Sequence, residues 1–234
     1  MKFQKTLIYV MCASLLAFGS CDTVKNANNT TKGGVIGAAG GAALGAIIGK
    51  IAGNAGVGAA MGAVVGTGAG IIIGKKMDKA RKEVEQAVPN ATIEDVTDSN
   101  GLQAEKVTFE NKILFDTNKA ELSTSAKQNL ANFADVLKKY SDVDLTIYGH
   151  TDSTGNDQIN DPLSLRRAKA VSEFLTQCGV SADKFKSVEG KGSHQPVATN
   201  ATANGRSLNR RVEVYMYASE QMIKNAEQSA SKKK

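Results

Sequence analysis

Two polar stretches gather the side chains that could do chemistry. The first is Gly149-His150-Thr151-Asp152-Ser153-Thr154-Gly155, which leads through Asn160 to Leu163-Ser164-Leu165-Arg166-Arg167-Ala168. The second spans 191–210 and ends in Asn209-Arg210-Arg211-Val212. The neighbouring arginines differ physically. Arg167 shares a helical face with Val171 and Phe174, whereas Arg166 shares one with Ala170 and Glu173. An arginine at a core margin needs an anionic partner, because a half-buried unpaired charge is costly. Asp152 is the nearest loop candidate. The residues alone therefore leave two readings open: a structural Asp152–Arg167 salt bridge, or two charges that hold a ligand between them.

Hydrolysis and metal chemistry are the rival readings. His150, Asp152 and Ser153 are adjacent on one loop, and triad members need a facing geometry that such neighbours rarely reach. The other histidine is His194. A site built from His150, Asp152 and His194 lacks the close ligand spacing typical of catalytic zinc. No enzyme activity, metal or cofactor is expected.

The elements that must position these loops can be read from periodicity. Ile93–Thr97 and Leu102–Phe109 flank Asn100-Gly101, a hairpin signal, and the alternation continues through Ile113 and Phe115. A helix is expected from Ser123 to about Tyr140, with Ser123 as cap and an apolar stripe of Ala126, Leu130, Phe133, Ala134 and Leu137. Val143, Leu145 and Ile147 alternate as a strand. A second helix is expected from Ser164 to Cys178, stopped by Gly179. Strands follow at Phe185 to Gly190 and through Val212, Val214 and Met216. The fold class is α+β, a β-α-β-α-β-β order with helices layered on one sheet face, over residues 91–217. Residues 218–234 read as a polar, frayed tail.

The N-terminal part is of another kind. Lys2 and Lys5, the apolar run Leu7 to Phe18, and Phe18-Gly19-Ser20-Cys21 predict a signal peptide over 1–20 with Cys21 as the lipidation site; Phe18 stands where Leu is usual. Residues 21–32 read as a flexible tether. Fifteen of the 23 glycines lie between Gly33 and Gly74. They recur every four residues, from Gly33 to Gly53 and again from Gly58 to Gly74. On helices each run is a smooth strip. Such strips are poor in water but suited to close helix packing in lipid. Residues 33–74 are therefore expected to form a glycine-zipper helical hairpin, either spanning the membrane or self-associating. Residues 75–90 read as an amphipathic connector whose lysines could rest on headgroups, or as a solvated linker.

Charge and cysteines add limits. Of 29 basic and 23 acidic residues, a leader ending at Ser20 would remove two lysines and leave an excess of four. That balance suits a wall polymer or an anionic bilayer and does not call for nucleic acid. Cys178 would have no disulfide partner once Cys12 leaves and Cys21 is acylated.

Phe115-Asp116-Thr117-Asn118, the Gly-His-Thr-Asp block, the run from Asn160 to Ala168 and Asn209-Arg210-Arg211-Val212 together resemble an OmpA-like peptidoglycan-binding domain, over about 90–217. Similar domains occur in peptidoglycan-associated lipoproteins and flagellar stator proteins. The resemblance implies a non-covalent ligand, the diaminopimelate of wall stem peptides, whose free end carries an ammonium and a carboxylate. It implies that Asp152 meets the ammonium and Arg167 the carboxylate, with Thr154, Asn160, Asn118 and Arg210 lining the same pocket. Asp161-Pro162 and Leu165 depart from the commoner polar residues. Pro162 is expected to stiffen the loop, and Leu165 to make the helix start less polar. The expected role is tethering of the outer membrane to peptidoglycan from a lipid-anchored position, with the C-terminal domain in the periplasm. The competing role is a zipper oligomer that forms a pore or remodels membrane.

Overall fold

The computed structural model describes residues 68–98, 101–115 and 119–232. The expected signal peptide, Cys21, the tether, Asn118 and the zipper as far as Gly66 lie outside the described residues. In chain order the elements are α1 (Gly68–Ala87), β1 (Thr92–Thr97), β2 (Gln103–Glu110), α2 (Asn111–Leu114), α3 (Thr124–Lys139), β3 (Val143–Gly149), α4 (Asp157–Gln177), a 3-10 turn (Ala182–Lys184), β4 (Phe185–Gly190), α5 (Ala203–Asn209), β5 (Arg211–Ala218) and α6 (Glu220–Ser231).

The strands form one sheet in the order β1-β2-β5-β3-β4. All neighbours are antiparallel except β3 and β4, which run parallel with α4 as their crossover. Helices α1, α3, α4 and α6 share one core with the sheet residues Val107, Phe109, Leu145, Ile147, Val212, Val214 and Met216. Phe109 and Phe133 meet edge to face at 5.7 Å there. Each large side chain fully buried in this way contributes roughly 1.5–3 kcal/mol. The opposite sheet face carries Val96, Ala104, Tyr148, Tyr215 and Tyr217, which are also buried.

Helix α3 has the expected cap and stripe: Ser123 Oγ accepts from Ala126 N at 3.1 Å, and Ala126, Leu130, Phe133, Ala134 and Leu137 are buried. Gly179 ends α4 at φ 94°, the left-handed geometry glycine tolerates. Five details differ from expectation.

The strand alternation does not continue to Phe115. After Glu110 the chain winds into α2, because Asn111 N donates to Arg210 O and Leu114 must reach the core. Phe115 then forms an isolated bridge with Leu122.

Helix α4 begins at Asp157 and not at Ser164. Asn156 caps it, its side chain accepting from Ile159 N, and Asp157 favours the positive end of the helix dipole. Pro162 therefore lies inside the helix and not in the loop, and Leu165 is not near the helix start.

The 191–210 stretch is not all loop, since it contains α5. The C-terminal residues are not a frayed tail: Ser219 caps α6 and Met222, Ile223 and Ala226 are buried.

Finally, α1 runs through the expected boundary at Gly74 without a break. Its apolar stripe of Ala69, Ile73, Met77, Ala80 and Val84 is buried in the domain, so that face is not available to headgroups. Ion pairs from Lys76 to Asp142 and from Lys139 to Glu83 fasten its polar flank. Among the described residues, no helix is long and apolar enough to cross a membrane.

Candidate functional site

Three chain segments converge where β3, β4 and β5 meet the start of α4. Gly149 O accepts from Lys191 N, His150 N donates to Arg211 O, and Thr151 N donates to Gly192 O, each at 2.9 Å. These bonds hold the Gly-His-Thr-Asp loop between its neighbours. Two glycines let α4 sit close over the strand ends. A Cβ on Gly149 would lie 2.0 Å from Ser164 O, and one on Gly190 would lie 2.4 Å from Ser164 Oγ. Ser164 Oγ in turn accepts from Gly192 N. This seating directs Arg167, one turn further along α4, toward the loop.

The result is a cleft of about 440 Å³ lined by Asp152, Thr154, Asn160, Arg167 and Arg210, with Phe115 and Leu163 among its apolar walls. Five of the six expected binding residues thus share one cavity, and Asn118 lies outside the described residues. Arg166 is exposed, as its helical face suggested.

Asp152 and Arg167 do not pair with each other. The Asp152 carboxylate accepts from Arg210 Nη1 at 2.5 Å and from Thr154 N at 2.8 Å. Asn160 Nδ2 donates to Thr154 O and stiffens the same turn. Burial alone would raise the Asp152 carboxyl, but the Arg210 and Thr154 hydrogen bonds outweigh it and hold the carboxyl below the usual range.

Arg167 is 2 % exposed. Its Nε donates to Lys119 O at 3.0 Å, and its guanidinium sits 5.4 Å from the Phe115 ring centroid. Among the described residues no carboxylate pairs with it. Burial first, then the nearby Arg210, pushes its pKa down to about 10. It is still a cation at neutral pH, and one that an incoming anion would stabilise.

Further lining residues were not anticipated. Asn111, Lys112, Thr151 and Arg206 also face the cleft. Asn111 Oδ1 and Thr151 Oγ1 are buried and have no hydrogen-bond partner among the described residues, so a ligand donor could use both. Asn111 was hidden in what looked like a strand end. Thr151 lay inside the recognised block, which was its one signal.

Behind the cleft, His150 and Glu213 are buried, with His150 Nε2 3.5 Å from Glu213. Burial lowers the His150 pKa, which keeps the ring neutral at pH 7. Burial would raise Glu213, but His150 and Arg211 together hold it down at about 2. With His150 neutral, Arg211 Nε at 2.7 Å and Tyr215 Oη at 2.8 Å donate to the Glu213 carboxylate. His194 lies elsewhere. Its Nε2 is 3.1 Å from Asp161, and with Asp157 the three form an exposed cluster, so His150, Asp152 and His194 do not assemble a site.

Residues 114–210 match the OmpA family model, and residues 1–78 match the YMGG-like Gly-zipper model. The chain is similar to outer membrane porin F of Pseudomonas aeruginosa, at 39 % identity over 133 residues, 56 % of this chain and 38 % of that protein. It is similar to the peptidoglycan-binding protein ArfA of Mycobacterium tuberculosis, at 45 % identity over 102 residues, 44 % of this chain and 31 % of that one. It is also similar to the probable lipoprotein YiaD of Escherichia coli, at 38 % identity over 104 residues, 44 % of this chain and 47 % of that one. The match thus spans less than half the length of each of these relatives. Among solved structures, the cell wall anchor of the T6SS from Pseudomonas aeruginosa aligns at 28 % identity and TM-score 0.50, covering 61 % of this chain and 96 % of that one. A putative MotB-like protein from Desulfovibrio vulgaris shares the fold at 21 % identity and TM-score 0.53, covering 62 % and 90 %. The chain thus resembles the OmpA family over residues 114–210 and the YMGG-like Gly-zipper family over residues 1–78.

Proposed function

We propose that the cleft binds the diaminopimelate of peptidoglycan stem peptides without covalent chemistry, and that the protein thereby tethers the outer membrane to the wall. The observation that carries this is the buried Arg167, which has no carboxylate partner among the described residues while facing the same cavity as Asp152. A carboxylate of the ligand completes Arg167, bidentately if it meets the guanidinium edge on. The ligand ammonium joins Asp152 and shares it with Arg210, and Thr151 Oγ1 and Asn111 Oδ1 offer further acceptors for its protons. Thr154 and Asn160 act by holding the Asp152 turn. No step breaks a covalent bond, so the protein acts as an anchor.

The names of similar proteins support the wall as partner: one is called a peptidoglycan-binding protein and another a cell wall anchor. Placement at the outer membrane, with lipid on Cys21 and the domain in the periplasm, rests on the leader-like start and on similarity to an outer membrane porin and a probable lipoprotein. Charge-assisted hydrogen bonds contribute roughly 1.5–3 kcal/mol each, so one small zwitterion is held weakly. A membrane-held domain facing a repeating polymer gains from high effective concentration, and weak sites then suffice.

Sedimentation with purified sacculi tests the site. The wild-type protein should pellet, while Arg167→Ala and Asp152→Ala stay in the supernatant with unchanged circular dichroism. Normal pelleting of both folded variants would refute the assignment.

A further inference from the structure

We infer that the cleft also recognises a second carboxylate on the same stem peptide, through Arg206; this rests on the stem-peptide reading above. The starting point is a charge imbalance. Arg167, Arg206 and Arg210 all line the cavity, and Asp152 is the one carboxylate among its described lining residues. Lys112 adds a fourth cation at the rim, already paired with Glu110 at 2.7 Å. A zwitterion brings one charge of each sign and leaves the three-to-one excess of guanidinium over protein carboxylate uncorrected. Clustered guanidiniums in a partly desolvated cleft repel one another, and an additional anion relieves that.

Arg206 is built to receive it. Its Nη1 donates to Asn200 O at 2.9 Å and to Ala201 O at 3.3 Å. Both contacts use one nitrogen. Nε and Nη2, the edge that pairs with a carboxylate in two parallel hydrogen bonds, have no hydrogen-bond partner among the described residues. The platform beneath is rigid. Asn209 is fully buried, accepts from Val197 N and Ala198 N, and donates to Ala198 O. Gly205 packs so tightly that a Cβ there would lie 2.0 Å from Thr199 O. Arg206 is thus held as a donor fork at the cleft wall, distinct from the buried Arg167.

Two carboxylates of an uncrosslinked stem tetrapeptide have the required chemistry: the free α-carboxylate of the γ-linked glutamate beside diaminopimelate, and the terminal carboxylate. In either case the cleft discriminates against the matching carboxamide.

The test is calorimetric titration of the full-length protein in detergent with three tetrapeptides: the parent, one with the glutamate α-carboxylate as carboxamide, and one with the terminal carboxylate as carboxamide. Wild type should bind one of the two amides at least about tenfold more weakly than the parent, the loss of one charge-assisted contact. That arm identifies the carboxylate. Arg206→Ala should weaken parent binding by a similar factor and lose discrimination against that amide, which a merely structural role for Arg206 would leave intact. Equal wild-type affinity for all three peptides overturns the inference even if the variant fails to fold. An equal loss across all three in Arg206→Ala overturns it as well. Arg167→Ala separates the two claims: it should abolish binding of every peptide, and if it does not, the stem-peptide reading itself is at fault.

Discussion

Two charge clusters, some way apart in the fold, make opposite use of arginine. Beneath α1, Arg81 faces three carboxyl groups. Its Nε pairs with Glu85 at 2.7 Å, and its Nη1 pairs with Asp95 and lies 3.9 Å from Glu105. At the cleft, three arginines line a cavity in which Asp152, paired with Arg210, is the one carboxylate among the described residues. The first cluster has enough anions of its own and fastens α1 to β1 and β2. The second has too few, and its most buried member, Arg167, rests on a backbone carbonyl and an aromatic ring. A buried charge that the fold satisfies reads as architecture. A buried charge that the fold leaves incomplete reads as a place for a ligand.

Deleting one arginine from each cluster should separate these roles. Arg167→Ala should lower wall affinity about a hundredfold or more, the loss of two charge-assisted bonds, while changing stability by less than about 1 kcal/mol because no buried partner is orphaned. Arg81→Ala should do the reverse: a loss of roughly 1–3 kcal/mol in denaturant unfolding, with wall binding kept. If Arg81→Ala loses binding while folded, or Arg167→Ala melts the domain, the contrast between the clusters is broken.

Proton linkage sharpens the same contrast. Glu105 is fully buried, and burial together with Asp95 raises its carboxyl to about 8, against the smaller opposing effects of Gln103 and Arg81. An acid whose folded pKa lies above its unfolded value contributes stability that is full below the unfolded pKa. That stability is lost as pH rises through the folded pKa. Thermal stability should therefore decline from about pH 4.5 to pH 8 through this group, and Glu105→Gln should flatten the decline and melt a few degrees higher at pH 8. Identical pH profiles for the two proteins would show that Glu105 does not titrate there. The smallest effect belongs to Lys112, whose side chain is 70 % exposed and paired with Glu110. Lys112→Ala should change wall affinity by no more than about twofold in sedimentation, in keeping with the weak contribution of exposed ion pairs.

How much was legible beforehand followed from periodicity and from local chemistry. The stripe of α3 and its Ser123 cap, the end of α4 at Gly179, and the alternation of β3 and β5 all report a buried face directly. Helix α2 is one turn long, and α5 two turns, too short for a periodic signal. The start of α4 was obscured by Pro162, which suggests a loop although a capped helix already runs through it. Helix α6 was hidden by its polar composition, because three buried residues suffice to dock it. At the site, the residue types of Asp152 and Arg167 stood out. Arg210 was expected in the pocket through the family resemblance, but its pairing with Asp152 was not, since the two are 58 positions apart along the chain and only tertiary structure brings them together. Arg206 and Asn111 gave no local sign at all, being set in the cleft by the loops around them.

The central claim is that Arg167 and Asp152 read a free carboxylate and ammonium on one carbon, and competition for the wall tests it most directly. Sacculus-bound protein should be released by free meso-diaminopimelate at millimolar concentration, and not by Nα-acetyl-lysine, whose free ammonium and carboxylate sit on different carbons. Release by both amino acids alike, or by neither while sacculus binding still depends on Arg167, would contradict it.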